Sequence, residues 1–365
     1  MSLRTRSILL GVLAAVLLTI LIIIGSRGFR WFDAALIGYA VATIFAAAAV
    51  TYKYTFWLAR PPTGRYWRRS WRLFLSYANF RRYTSLIPKA IITDLFSQQF
   101  IRKRGFYRWL THQCIFWGVI LSCCITFPLT FGWLRFIQTP DANYTMWFFG
   151  FSLFTFPVDS IFGFLVIHAL DFTALLLLVG LVLAFHRRFH DLALIAVQRF
   201  RFDLAPLVLL LAIVITGLAL TADSAWLGGE YYWFISLTHE AVVVLWLISL
   251  PFGKFFHLIE RPATVGIELY WRTGEGTEMQ HCARCGEAFA PARFITDLKK
   301  TLYDVNENYA MQAAPAETAT PGATAATRES AISGLWWQDL CPECKRVMRA
   351  QANLAALGRG GNQFL

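Results

Sequence analysis

Lysine and arginine are missing altogether from residues 136–158 and again from 223–230, and the strongly basic stretch 59–110 holds a single acid, Asp94. Positive residues collect on the cytoplasmic side of membrane proteins, so the two bare stretches are excluded as cytoplasmic loops. Charge is scarce throughout. Only 15% of the 365 residues are charged, 57% are hydrophobic, and the mean hydropathy is +0.49. Soluble domains sit near ~45–50% apolar, which excludes an ordinary soluble protein. The net charge of +12 follows the topology. It points to anionic lipid head groups and not to nucleic acid.

In place of charge the chain has apolar runs, each near the ~20 residues that cross a bilayer. Six spans are read: 7–25, 31–58, 111–135, 159–186, 204–222 and 231–256. The basic stretch 59–110 and the loop with Arg187, Arg188, Arg199 and Arg201 face inward, so both termini are expected in the cytoplasm of a bacterial inner-membrane protein. Arg27 and Arg30 in the short first loop run against this orientation and are outweighed. The start, "MSLRTRSILLGVLAAVLLTILIIIGS", has the form of a secretory signal. Its apolar run, Ile8 to Ile24, is long for one and no small-x-small site follows, so it is read as an uncleaved span.

The stretch 59–110 mixes aromatics and arginines at near-helical spacing and is read as amphipathic helices on the inner membrane face; a docking surface is compatible with this. After Pro262 the chain turns polar and carries "HCARCGEAF" and "LCPECKR". Cys282, Cys285, Cys341 and Cys344 form two C-x-x-C pairs, which in a reducing compartment read as one tetrahedral metal site. Structural zinc is favoured; rubredoxin-like iron or an iron–sulfur cluster would use the same four thiolates. The Ala/Thr/Pro-rich insertion 312–330 between the pairs is expected to be disordered. Cys114, Cys123 and Cys124 lie in a span and read as small hydrophobes.

There are seven histidines. Ionisable groups in spans face a partner, and haem iron is such a partner for a neutral imidazole. His239 and His257 are eighteen residues apart, as are His168 and His186. That is five full helical turns, so each pair is expected to share one face, with its members roughly 27 Å apart. Topology puts His168 and His239 in the outer half, where an outer haem between them is allowed. An inner haem needs two of His112, His257 and His186. His186, His190 and His281 also read as head-group or bystander residues.

The stretch "RGFYRWLTHQCIFWGVILSCCITF" resembles the first haem-binding helix of the nitrate reductase gamma-type cytochrome b module. The resemblance is closest to the form joined to heterodisulfide-reductase-type and electron-transfer-flavoprotein:quinone oxidoreductase proteins. "LVGLVLAFHRRFHDLAL", "FDLAPLVLLLAIVITGLALTA" and "LPFGKFFHLIERPATV" are similar to its later helices in the right order, over residues 31–265. The resemblance implies di-haem b chemistry with quinone. It carries inner-haem ligation to His112 and His257 and one outer ligand to His239. Ser122 stands where that family has its fourth ligand, so His168 is the replacement candidate. The family's cysteine-rich iron–sulfur domains are absent, which calls for a separate cytoplasmic iron–sulfur or flavoprotein subunit.

The expected architecture is thus an all-α membrane protein with six transmembrane helices in a haem-binding bundle. It comprises an extra N-terminal helix (1–30), a cytochrome b-like part (31–265), and a cytoplasmic tail (266–365) with a four-cysteine metal site. The expected function is electron relay between a cytoplasmic redox subunit and menaquinone or ubiquinone, through two b haems or one. Asp171 and Glu240 would relay quinone protons, and Lys254, Arg187 and Arg188 would pair with haem propionates or anchor the inner face. The rival readings are a proton-coupled transporter and a non-catalytic anchor with a zinc-ribbon docking tail.

Overall fold

The computed structural model describes residues 1–61, 63–76, 80–81, 84–141, 143–196, 198–272, 277–307, 309–311 and 334–356. The insertion 312–330 lies outside them. The longer helices are α1 (Leu3–Gly25), α2 (Ile37–Ala59), α3 (Thr63–Phe74), α4 (Phe106–Thr130), α5 (Ile161–Ile167), α6 (Ala169–His190), α7 (Ala205–Trp226), α8 (Tyr232–Ser249), α9 (His257–Arg272), α10 (Ala292–Asp304) and α11 (Pro342–Ala356). Six of these, α1, α2, α4, α6, α7 and α8, are the cores of segments long and apolar enough to cross a membrane.

The chain divides into two compact units. The first is 1–56 with 93–261; the second is 57–92 with 262–365.

In the first unit α6, α7 and α8 meet around Leu177, Leu181, Leu210, Val214, Trp246 and Leu247, with Ala42 of α2 beside them. Large apolar residues such as Val12, Val16, Val179, Val182 and Ile215 face outward, as suits a lipid solvent. Helices α4 and α6 touch backbone to backbone. A Cβ at Gly118 would lie 2.8 Å from the Leu177 Cα, and one at Gly180 would lie 2.8 Å from the Ile115 nitrogen. Small residues permit this approach in membrane bundles.

The chain is mostly helical, as expected, with an exception near the third span. Residues 134–157 form a three-stranded antiparallel sheet, β1 (Leu134–Gln138), β2 (Asn143–Phe148) and β3 (Phe151–Pro157), in that order. The segment is rich in aromatic and β-branched residues, which favour strands. The β2–β3 turn has Phe149 at φ +49 and Gly150 at φ +87, the positive pair that matches strand twist in a two-residue hairpin.

This sheet accounts for Arg27. Its guanidinium donates to the Gly150 carbonyl and lies 4.6 Å from the Trp31 ring and 5.7 Å from the Trp147 ring. An arginine on the side that charge statistics disfavour is thereby tied to the hairpin. The two ends of the bundle are called below the sheet side and the basic side.

Two expected spans are broken. The fourth is interrupted at His168, which joins α5 to α6. The sixth was expected to run unbroken from 231 to 256, with His239 and His257 on one face. Instead α8 stops at Ser249, a turn spans 250–256, and His257 begins α9. Pro251 cannot donate to a helix ladder, so the one-face argument for this pair does not hold.

In the second unit part of α3 packs inside the unit. Tyr66 is buried, 5.7 Å from Tyr270 and 5.5 Å from Phe294 in ring-centre distance, and the Ser70 hydroxyl donates to the Gly266 carbonyl at 2.6 Å. Arg69 pairs with buried Asp297 at 3.0 Å, and Arg65 pairs with Asp304. Arginines expected at the head groups are thus partly spent inside the fold.

The α4–α6 contact gives a test. Gly180→Ala forces a methyl group against the Ile115 backbone, and overpacking costs about 1–3 kcal/mol. The thermal midpoint of the detergent-purified protein should fall, whereas an unchanged midpoint means the two helices do not approach this closely.

Candidate functional site

The sequence-predicted histidines fall into two groups, one near each end of the first unit. On the basic side, His112 of α4 and His257 of α9 face each other with ring centres 6.5 Å apart and planes at 69°. Both line a cavity of about 310 Å³, at the small end of ligand pockets. Its walls are apolar, including Ile115, Val119, Leu207 and Leu210, and Arg108, Arg187, Arg188, Lys254 and Asp203 complete the lining.

The spacing of the two rings is chemically informative. Two imidazoles on opposite sides of one metal ion, each bonded at about 2.0–2.1 Å, have nitrogens about 4 Å apart and ring centres roughly 6 Å apart. The relative angle of the planes is then free, because both planes contain the bond axis.

Ring tautomers are set by the protein. A metal-binding histidine ordinarily donates its other N–H to a carbonyl, carboxylate or hydroxyl. His257 Nδ1 donates to the Lys254 carbonyl at 2.5 Å, which leaves Nε2 as the free lone pair. His112 Nδ1 is buried with no hydrogen-bond partner among the described residues. A buried polar atom in that state costs about 1–3 kcal/mol, so the protein alone leaves this wall unsatisfied.

The third inner candidate, His186, does not join them. It is exposed, with Nδ1 3.3 Å from the Tyr107 hydroxyl and its ring stacked 4.4 Å from His190. Lys254 donates to Asp203 at 2.7 Å, and Arg188 lies 3.8 Å from the same oxygen. Asp203 and Arg108 were not singled out from sequence. The π-helical turn Phe200–Leu204 that carries Asp203 into the wall has no signature in composition.

Toward the sheet side the polar residues form short chains. His168 Nδ1 donates to Asp171 at 2.9 Å, and the Thr221 hydroxyl donates to the other oxygen of Asp171 at 2.7 Å. His239 Nδ1 donates to Thr216 at 2.8 Å, and Thr216 passes its own proton to the Ala212 carbonyl. Both rings therefore keep Nε2 free. Thr216, which holds His239, and Thr221, which holds Asp171, lie on α7 five residues apart, about 7.5 Å along the axis.

Ser122 is closed off by the Thr173 hydroxyl at 2.8 Å, and a serine hydroxyl offers no imidazole-type lone pair. The Glu240 carboxylate rests on α2 so closely that a Cβ at Gly38 would lie 2.2 Å from its Oε1. Thr216, Thr221 and Thr173 were missed in the sequence, where threonines in apolar runs carry no distinguishing pattern.

The second unit holds the four cysteines together. Their sulfurs all lie within 4.8 Å of one another, and the group can hold a metal ion. Cys282 and Cys285 sit on the knuckle between β4 (Met279–His281) and β5 (Ala288–Pro291), where Gly286 takes φ +74. Cys341 and Cys344 open α11, whose N-terminus favours negative charge.

The Cys285–Cys341 sulfur separation is 3.7 Å. A tetrahedron of sulfurs about 2.3 Å from a metal has edges of about 3.8 Å, so this distance suits a shared ion better than a thiol hydrogen bond. Burial pushes the Cys282 thiol up, but the N–H groups of Cys341, Cys285 and Arg284 outweigh it and bring it to about 6. Burial, then the neighbouring sulfurs, push Cys344 up to about 12. Four crowded thiols cannot all ionise without a cation among them. His281 turns away, with Nδ1 2.9 Å from the Gly286 carbonyl.

No family model, curated protein or solved structure matches this chain.

The cysteine cluster yields a direct expectation. Full-length protein purified without chelator should carry one zinc or iron per chain at these thiolates, and Cys341→Ser should release it. Elemental analysis, with an optical spectrum for iron, checks this. A folded wild-type chain free of either metal would overturn it.

Proposed function

We propose that this chain is a membrane b-type cytochrome subunit that relays electrons between a cytoplasmic redox partner and a membrane quinone. The observation that carries this reading is the His112–His257 pair, with ring centres 6.5 Å apart in a cavity walled by apolar and cationic side chains. The residues fit the group: His112 and His257 would hold the iron, the apolar walls would pack on a macrocycle, and Arg108, Arg187, Arg188 and Lys254 would pair with its carboxylates. Haem held by two imidazoles supplies one-electron transfer and has no open position for oxygen. The chain's own residues would hold and orient it, exclude water and neutralise its acid groups.

A second haem near the sheet side would use His168 and His239, whose Nδ1 atoms are already engaged. Asp171, hydrogen-bonded to both His168 and Thr221, and Glu240 are the carboxylates available to pass quinone protons. The cysteine site would be structural if it holds zinc and a further electron carrier if it holds iron. The partner would be a cytoplasmic flavoprotein or iron–sulfur protein that exchanges electrons with the basic-side group.

One observation favours a proton-coupled transporter instead. The break of the sixth span at Leu250–Phe256 is the kind of interrupted helix that transporters use. That reading requires no chromophore, so the optical spectrum separates the two.

Purified protein should show a reduced-minus-oxidised b-type spectrum. His112→Ala should remove one haem per chain, and His257→Ala should remove the same one. A colourless wild-type protein, or a His112→Ala variant with full haem content, would sink the assignment.

Haem stoichiometry addresses the sheet side separately. Two haems per chain, with His168→Ala losing one of them together with quinone reactivity, is the expected result. One haem per chain, untouched by His168→Ala, would confine the cofactor to the basic side.

A further inference from the structure

Lys53 is a cation within the apolar helix α2, fewer than two turns from its end. Charged groups in such positions are costly and are kept where a partner answers them. Its Nζ donates to the Pro251 carbonyl at 2.8 Å and stands 4.0 Å from the centre of the Phe256 ring. Phe256 is 3% exposed, so this cation–ring contact is largely shielded from water and correspondingly stronger than a surface one.

Pro251 and Phe256 lie near the two ends of the turn that separates α8 from α9. Within that turn Lys254 gives its carbonyl to His257 Nδ1 and its ammonium to Asp203. His257 follows Phe256 directly. One side chain from α2 therefore clasps the turn at both ends, and the turn sets the His257 ring opposite His112.

We propose that Lys53 is a positioning residue for His257: by holding the Pro251 carbonyl and the Phe256 ring together, it fixes the turn that presents the imidazole to the basic-side cavity. The inference rests on the reading of His112 and His257 as a ligand pair. Lys53 itself does not line the cavity, so its effect reaches the site through the turn. Arginine can keep both contacts. Methionine, of similar length, can make neither the hydrogen bond nor the cation–ring contact. Phe256→Leu removes only the ring.

The test uses the full chain in detergent, as wild type, Lys53→Arg, Lys53→Met and Phe256→Leu. Three quantities are read: haem per chain, the low-spin electron paramagnetic resonance signal, and amide hydrogen exchange over 252–257. That signal depends on the relative orientation of two axial imidazoles, so it reports the ring and not overall stability.

In Lys53→Met the exchange should speed up severalfold, and the retained haem should show a shifted signal. Phe256→Leu should move both in the same direction by less, and Lys53→Arg should restore both. Wild-type signal and exchange in Lys53→Met would overturn the proposal while leaving the haem reading intact. A haem-free wild type would overturn that reading and this inference with it. If Lys53→Met fails to fold, Phe256→Leu decides: a shifted signal supports the clasp, and an unchanged one refutes it.

Discussion

Where a helix stops, its last carbonyl groups lose their ladder partners and need others. The turn after α8 meets this demand within a few residues. Ser249 accepts from the amides of Phe252 and Gly253 at 3.0 and 3.1 Å, Pro251 accepts from Lys53, and Lys254 accepts from the His257 ring. Each acceptor is used to fix something else. The first two close the turn, and the third selects the tautomer of His257. An unbroken helix would have had no such spare carbonyls. It would also have carried His257 away along the α8 axis and not to the cavity wall.

The same economy governs the sheet side. A ring nitrogen inside a bundle must have a partner or stand as a cost. His168 meets Asp171 and His239 meets Thr216, each through Nδ1. The hydroxyl groups are themselves satisfied, Thr216 by the Ala212 carbonyl and Thr221 by Asp171. These chains run along α7, which packs between α6 and α8 around Leu210 and Val214. From α7, Thr216 accepts from His239 directly, whereas the acceptor for His168 is Asp171 of α6, held in turn by Thr221 of α7. His112 is the exception, because its buried Nδ1 has no partner among the described residues.

The sequence makes some of this legible and hides the rest for physical reasons. Apolar length locates all six long helices, because lipid demands continuous apolar surface over a fixed thickness. Cysteine spacing locates the tail cluster, because two thiolates two residues apart can meet one ion. Eighteen-residue spacing misleads at His239 and His257, since periodicity assumes a continuous helix and "LPFG" breaks it. The strands at 134–157 are missed because alternation fails where both faces are apolar. Arg65 and Arg69 read as membrane-surface charges, yet they pair with Asp304 and Asp297, more than 200 residues away. No local pattern encodes such a partner. Lys53 is hidden for the same reason, being a lone charge in an apolar run whose meaning depends on a turn far along the chain.

Charge balance around the cavity brings these threads together. Arg108, Arg187, Arg188 and Lys254 line it, and Asp203 is the one carboxylate among the lining residues. Four cations thus face one anion, a surplus of three positive charges beside apolar walls, where screening is weaker than in bulk water. Lys254 and Arg188 already share Asp203, so that carboxylate cannot also neutralise the other two. Topology accounts for basic residues at this end of the bundle, but not for four of them converging on one cavity. Arg27, at the opposite end, shows how a solitary arginine is accommodated, by a carbonyl and two indole rings. In the cavity group Lys254 and Arg188 share Asp203, and the Asp191 charge acts on Arg187. In the proposed reading, an occupant with acidic groups at one edge and an apolar body would meet this cationic end of the cavity.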